Sequence, residues 1–462
     1  MSTSTKAIGT GPGAWFGHIG DSMRGMERGY RAALRRRRGR TITLSAIILL
    51  GLAYPLIHQY FLAAFSRNVF PLPLPDDTVM TFMTIFAIMS VGLNIVVGFA
   101  GLLDLGYVAF YAIGAYVAAF VASPHWYALG LNFTFLGNVG PAAQGIHLPF
   151  WIVVPLAIVV VATFGALLGA PTLRLRGDYL AIVTLGFGEI VPLVFKNLSS
   201  LTINFNLGPI NIALNNVNLT GGVQGINPID PPFLPFLNIL FDSRSGPLAV
   251  YLGVFMLALC VLVARNLQYS RIGRAWMAIR EDETAAAMMG VNTVRTKLLA
   301  FALGASFAGV AGAFQAAYLG ATTSDFFDFS ISILVVIMII LGGIGNIWGV
   351  IAGALTLVYV NATLLPYLGQ RVQDSALPLP NPAQYNFLLY GVILLLMMRF
   401  RPQGFLPDRQ REAELSVAGL VAAESAMGAS VDLDNVSVAP RGQDETGPDA
   451  RRAVVPDEVH KL

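Results

Sequence analysis

The stretch "GRAWMAIREDETAAAMMGVNTVRTK", residues 273–297, lies between two apolar runs, "PLAVYLGVFMLALCVLVAR" (247–265) and "LLAFALGASFAGVAGAFQAAYLG" (298–320). Each run is long enough to cross a bilayer, which takes about 20 apolar residues as a helix. The charged segment between them reads as a short helix of its own. It opens with the acids Glu281, Asp282 and Glu283. Asp282 or Thr284 can cap the free backbone N–H groups, and acids complement the positive end of the helix dipole. "AAAMM" follows as a small apolar helix former, and Gly290 suits a left-handed C-terminal cap. The face on offer is Ala285, Ala286, Met288 and Met289. Two turns of helix are unstable alone, so something must hold them. Small residues with Met make a compact, adaptable docking face. The residues alone leave two readings: a helix that docks in a cleft on a cytoplasmic partner, or a connector resting on the membrane surface.

The rest of the chain fits the flanking runs. Of its 462 residues 55% are hydrophobic and 12% charged, and the mean hydropathy is +0.66. Soluble domains carry about 25% charged residues. The fold class expected is an all-α polytopic membrane protein. The single cysteine, Cys260, sits inside an apolar run. That excludes a disulfide framework, a cysteine zinc site and a CxxC redox pair, and leaves a buried spectator thiol.

About ten spans satisfy the length criterion. They lie near 41–63, 79–99, 105–123, 149–170, 178–198, 248–264, 298–319, 328–345, 348–366 and 385–400. Charge orients them, because cytoplasmic turns are enriched in Lys and Arg. Arg174 and Arg176 follow the fourth span. Arg265, Arg271, Arg274, Arg280, Arg295 and Lys297 follow the sixth, and Arg399 and Arg401 the tenth. The opposite turns hold only Arg67, Arg244 and Arg371. Both termini are therefore expected in the cytoplasm. Residues 1–40 read as a basic arm that holds the first span, not as a cleavable signal. Topology or anionic lipid accounts for the arginines at 35–38 more simply than nucleic acid does. Residues 41–407 are expected to form the transmembrane domain. Within it lie an outward loop at 199–247, rich in Asn, Pro and Gly, and a cytoplasmic loop at 265–297. The tail 408–462 is rich in Asp, Glu, Ala, Gly and Pro and is expected to be disordered.

Catalytic signatures are missing from the sequence. It contains no Walker A pattern, no HExxH, no CxxC and no GxSxG. The five histidines make no metal-ligand spacing. No enzyme, metal site or cofactor is expected in this chain. Small residues are dense instead: Gly92, Gly98, Gly101, Gly106 and Gly114 run through two spans, and Gly304, Ala308 and Gly312 recur every four residues. In lipid such residues let helix backbones approach closely. They also suit broken helices that line a substrate path. Ionisable groups at membrane depth are costly and point to function or to burial in protein. Glu189, in "LAIVTLGFGEIVPLVF", is the clearest case, as a bundle hydrogen bond or as a pathway group. Asp104 and Asp178 follow, each at a possible helix start, and Lys196 can snorkel to the outer face.

Thr284-Ala285-Ala286 with Gly290 resembles the coupling loop of bacterial ABC-transporter permeases, whose pattern is Glu-Ala-Ala, three residues, then Gly. Thr284 stands where that family has Glu. "GLLDLGYVAFYAIGAYVAA" (101–119), "RLRGDYLAIVTLGFGEIV" (174–191), "GRAWMAIREDE" (273–283), "LGGIGN" (341–346) and "RPQGFLP" (401–407) are similar to the M-type permease of the high-affinity branched-chain amino acid transporters. The resemblance covers roughly residues 40–407. It implies a permease that works with a second, homologous permease, two ATPases docked at residues 281–290, and a periplasmic solute-binding protein. ATP and Mg2+ would then belong to the ATPases, and the location would be the bacterial inner membrane. The solute would be leucine, isoleucine, valine or a related small molecule. Groups expected along the path are Asn94, Asp104, Glu189, Gly342, Gly343 and Gly345. A proton-coupled secondary transporter with Glu189 as carrier is the alternative.

Overall fold

The computed structural model describes residues 73–129, 133–134, 144–172, 178–199, 201–207, 210–234, 239–241, 246–374, 385–401 and 404–406. The basic arm, the span expected near 41–63 and the tail 408–462 lie outside the described residues.

The other nine expected spans are helices. They are α1 (Asp77–Asn94, continued by a π-helical turn, Ile95–Phe99), α2 (Tyr107–Val121), α3 (Phe150–Thr172), α4 (Asp178–Asn197) and α5 (Pro247–Tyr269). After the short helices α6 (Arg271–Glu281) and α7 (Glu283–Met288) come α8 (Thr293–Leu319), α9 (Phe329–Gly342) and α10 (Ile347–Tyr359). The expected span 348–366 runs further than its apolar pattern, through a π turn (Val360–Leu364) into α11 (Leu365–Asp374); α12 (Asn386–Phe400) is last. Among the described residues, seven helical stretches are long and apolar enough to cross a membrane, and α2 and α12 are shorter.

The described residues are mostly helical, as expected of this fold class. Among them, seven short strands occupy the connections at one end of the bundle: β1 (Ala122–Ser123), β2 (Phe133–Thr134), β3 (Ile146–His147), β4 (Leu201–Leu207), β5 (Ile210–Val217), β6 (Phe233–Leu234) and β7 (Ile239–Leu240). β3 pairs antiparallel with β1 and parallel with β2, while β4 with β5 and β6 with β7 form antiparallel pairs. The described residues of the loop rich in Asn, Pro and Gly thus include paired strands. Pairing lets its backbone groups satisfy each other where no helix can. His147 Nδ1 meets Asp230 Oδ2 at 2.7 Å and ties β3 to this loop. Burial pushes the Asp230 carboxyl above its usual range, against the hydrogen bond and charge of His147.

Helix α8 is the axis of the bundle and packs along α3, α2 and α1. Small residues make this possible. A Cβ on Gly114 would lie 2.5 Å from the Gly309 carbonyl oxygen, and one on Gly312 would strike the Tyr111 carbonyl. These helices touch backbone to backbone, as the small-residue pattern implies. Helix α2 is buried along nearly its whole length.

Helix α2 also begins deep inside. Tyr107 Oη donates to the Gly304 carbonyl at 2.8 Å, about 16 Å along α8 from Thr293 at 1.5 Å per residue. The chain leaves α1 near Gly98, beside α6, and climbs back through irregular residues 100–106 to start α2 midway. Its 15 residues span about 22 Å, less than the roughly 30 Å hydrocarbon core.

Candidate functional site

Two features carry the chemistry: the α6–α7 corner and the face of the bundle where α4 meets the irregular segment.

At the corner, Ser270 caps α6 by accepting from Gly273 N at 3.1 Å. Asp282 caps α7, its Oδ1 accepting from Thr284 N at 2.7 Å and Ala285 N at 3.0 Å. Of the two expected caps it is Asp282, because its extended backbone lies just outside the helix. Gly290 takes φ +85°, and Val291 N donates back to the Ala286 carbonyl, closing the C-terminus.

The corner is held from behind. Trp276 is fully buried and its Nε1 donates to the Thr296 carbonyl at 2.7 Å. Arg280 reaches the Gly98 carbonyl at 2.7 Å, at the end of α1. Lys297 pairs with Glu283 at 2.6 Å. These contacts supply the support a two-turn helix lacks. They also correct the expected face. Ala286 is 4% exposed and packs inward, whereas Met288 and Met289 are 83% and 85% exposed. Glu281, Thr284, Ala285 and Gly290 are exposed beside them.

At the second feature, irregular backbone at membrane depth is tolerated only where its polar groups are met. Here they are. Leu105 N donates to Thr184 Oγ1 on α4 at 3.1 Å, Gly106 N to Asp104 Oδ1 at 2.9 Å, and Val108 N to Ser332 Oγ on α9 at 3.0 Å. Asp104 is 1% exposed and its carboxyl lies against the start of α2, where Gly106 is the N-cap residue. Thr184 and Ser332 carried no signal in the sequence, since a lone hydroxyl on a helix more often bonds its own backbone. Their partners are 79 and 224 residues away.

The other expected path residues separate into two groups. Asn94 is fully buried and its Oδ1 accepts from Gly345 N at 2.9 Å. This bond joins α1 to the turn between α9 and α10. Gly342 packs on the Gly349 carbonyl, and a Cβ on Gly404 would lie 2.5 Å from Gly343 Cα. Phe405 N and Leu406 N satisfy the carbonyls of Leu341 and Gly342 at 2.9 and 3.1 Å. Residues 404–406, from the "RPQGFLP" stretch, therefore close the end of α9, and the glycines admit them. These residues bind the fold together. Glu189 differs: it is exposed on α4.

Helix α4 packs one face only. Leu180, Ala181, Thr184 and Gly188 face inward, and a Cβ on Gly188 would lie 3.1 Å from Gly106 Cα. One flank borders α2 and α3 across a groove of about 510 Å³, lined only by apolar and aromatic residues such as Val191, Val194 and Phe195. The other flank carries Glu189 and Lys196, seven residues or about two turns apart and so on one stripe. Lys196 reaches Asp325, just before α9, at 3.2 Å. Leu103, in the irregular segment, is 41% exposed.

A mostly helical chain with this many apolar spans, small-residue helix contacts and a helix that starts at mid-depth is a multi-pass membrane protein. The family it falls in is shown by comparison with known proteins. Residues 77–398 match the family described as branched-chain amino acid transport system, permease component, and the chain belongs to that family. It is 36% identical over 356 residues to the high-affinity branched-chain amino acid transport system permease protein LivM of Salmonella typhimurium, covering 73% of this chain and 71% of the relative. Identity to LivM of Escherichia coli is 35% over the same share of each chain. The probable branched-chain amino acid transport permease protein LivM of Methanocaldococcus jannaschii is 24% identical over 72% of this chain and 93% of its own. No solved structure matches.

Proposed function

We propose that this chain is one permease subunit of an ATP-driven importer for branched-chain amino acids or closely related small solutes, working in the bacterial inner membrane. The observation that carries this reading is the α6–α7 corner: a short helix, tied to α8 by Glu283–Lys297 and backed by α6, which is itself anchored to α1 and α8, presents Met288 and Met289 to solvent. A docking helix needs both properties, stiffness behind and an adaptable apolar face in front. In this reading the corner is cytoplasmic and the strand end is periplasmic. Two ATPases, which bind ATP and Mg2+, grip the corner of this chain and that of a second, homologous permease. A periplasmic binding protein delivers the solute at the strand end. Closure of the ATPases moves α7, and with it the ends of α1 and α8, switching the pore between its two accesses.

Co-purification tests this reading. A Met288→Asp, Met289→Asp variant puts two charges on the docking face without touching the buried contacts behind it. The variant is expected to keep the second permease and lose the ATPases. Retention of the ATPases would remove the corner as the docking site. Uptake that follows a proton gradient and needs no ATP would favour the secondary transporter, with Glu189 as carrier.

A further inference from the structure

We propose that Glu189 holds the ammonium group of the amino acid as it passes the middle of the membrane. This rests on the reading above of an amino acid permease and adds the recognition chemistry.

Depth is the first observation. Along α4, Asp178–Asn197, Glu189 lies about 16 Å from one end and about 12 Å from the other. A carboxylate in that position is far too costly to face hydrocarbon. Exposure is the second. Glu189 is exposed and makes no hydrogen bond or ion pair with any described residue. Water or a positive group must therefore reach it. Position on the helix is the third. The apolar groove on the α2 and α3 flank is one that lipid tails can fill. Glu189 is absent from its lining and shares the opposite stripe with Lys196, whose partner Asp325 precedes α9. Glu189 and Lys196 are charged positions on that stripe, and Gly188 fixes its direction by packing on the backbone at Gly106.

The sign of the missing partner follows from what is already satisfied. The positive end of α2, which could have attracted the carboxylate of an amino acid, already has the buried Asp104 carboxyl against it, accepting from Gly106 N. Near mid-depth this chain thus offers negative charge and no free positive charge among the described residues of α4 and the α2 start. An amino acid entering here meets its ammonium contact on this chain. Its carboxylate contact must come from the facing subunit.

The test uses the whole transporter, purified with its partners and reconstituted in liposomes, with Glu189→Gln and Glu189→Asp beside the wild type. Three quantities are read: subunit stoichiometry, basal ATP hydrolysis, and uptake of L-leucine, L-isoleucine and L-valine driven by the binding protein. In Glu189→Gln, stoichiometry and basal hydrolysis are expected to match wild type while uptake falls at least about tenfold, the scale of one charge-assisted hydrogen bond. Glu189→Asp, which keeps the charge, is expected to recover part of the uptake. Loss of the second permease from Glu189→Gln would overturn the proposal by making Glu189 one half of an ion pair between subunits. Uptake within twofold of wild type would overturn it as well. A wild-type complex that hydrolyses ATP but imports none of the three amino acids would overturn the substrate reading instead, and the ammonium assignment with it.

Discussion

Helices α2 and α4 are neighbours, both apolar and both carrying glycine within the helix, yet they do opposite things. Helix α2 is walled in by α8, α3, α4 and α9, and its one glycine, Gly114, is a contact point for the backbone of α8. Helix α4 packs by one face and leaves the other open, with nothing within 4 Å of where a Cβ on Gly186 would sit. Close approach in lipid is worth most when every small residue meets a partner. In α2 they all do. In α4, Gly188 does and Gly186 does not. The difference teaches that small residues mark two kinds of surface, one already filled by the chain's own helices and one awaiting another subunit or a solute.

Three substitutions would break or sharpen that contrast. The largest effect belongs to the closed side. Gly312→Leu forces a side chain into the Tyr111 carbonyl and onto Ala115 N, and overpacking of this kind costs about 3 kcal/mol or more. The expected result is a protein that leaves the detergent column as aggregate, and a monodisperse peak would show that α2 and α8 can separate cheaply. An intermediate effect belongs to the seam between the helices. Thr184→Val keeps the shape but leaves Leu105 N–H buried without its acceptor, at about 1–3 kcal/mol. A fall in the thermal unfolding midpoint with the fold intact is expected. An unchanged midpoint would mean another acceptor serves Leu105. The smallest effect belongs to the open side. Gly186→Leu meets open space in this chain, so its stability alone should change by no more than about 0.5 kcal/mol. The same variant should nevertheless impair pairing with the second permease or solute uptake. Full assembly and full uptake would show that the open face of α4 is a lipid surface.

Much of the architecture was legible in the chain. Nine expected spans within the described residues are helices, because a helix long enough to cross a bilayer announces itself by its length and apolarity. The α6–α7 corner was legible too, since caps act within a few residues: Asp282 and Gly290 stand where local geometry needs them. Illegible were the inward turn of Ala286, the strands of the connecting loops and the start of α2 at mid-depth. Among the candidate path residues, Asn94, Asp104, Gly342, Gly343 and Gly345 read like Glu189 as polar or flexible points in apolar surroundings. Five of the six make hydrogen bonds or backbone contacts within the chain, closing turns or joining its distant parts. A group's partner, rather than its type, decides its role, and these partners lie too far along the sequence for spacing to reveal.

The sequence by itself therefore determined which segments are helices, where the short corner helix starts and stops, and which residues can carry charge at depth. Those are properties of apolar length, of neighbours within a turn and of residue chemistry. Only the tertiary structure decided that α2 lies inside while α4 keeps one face open, that Thr184 and Ser332 meet the start of α2, and that Glu189 alone of the path candidates makes no hydrogen bond or ion pair with a described residue. Each of these depends on backbones meeting at glycines far apart in the chain. Such a meeting is set by the shape of the whole bundle, which no local pattern records.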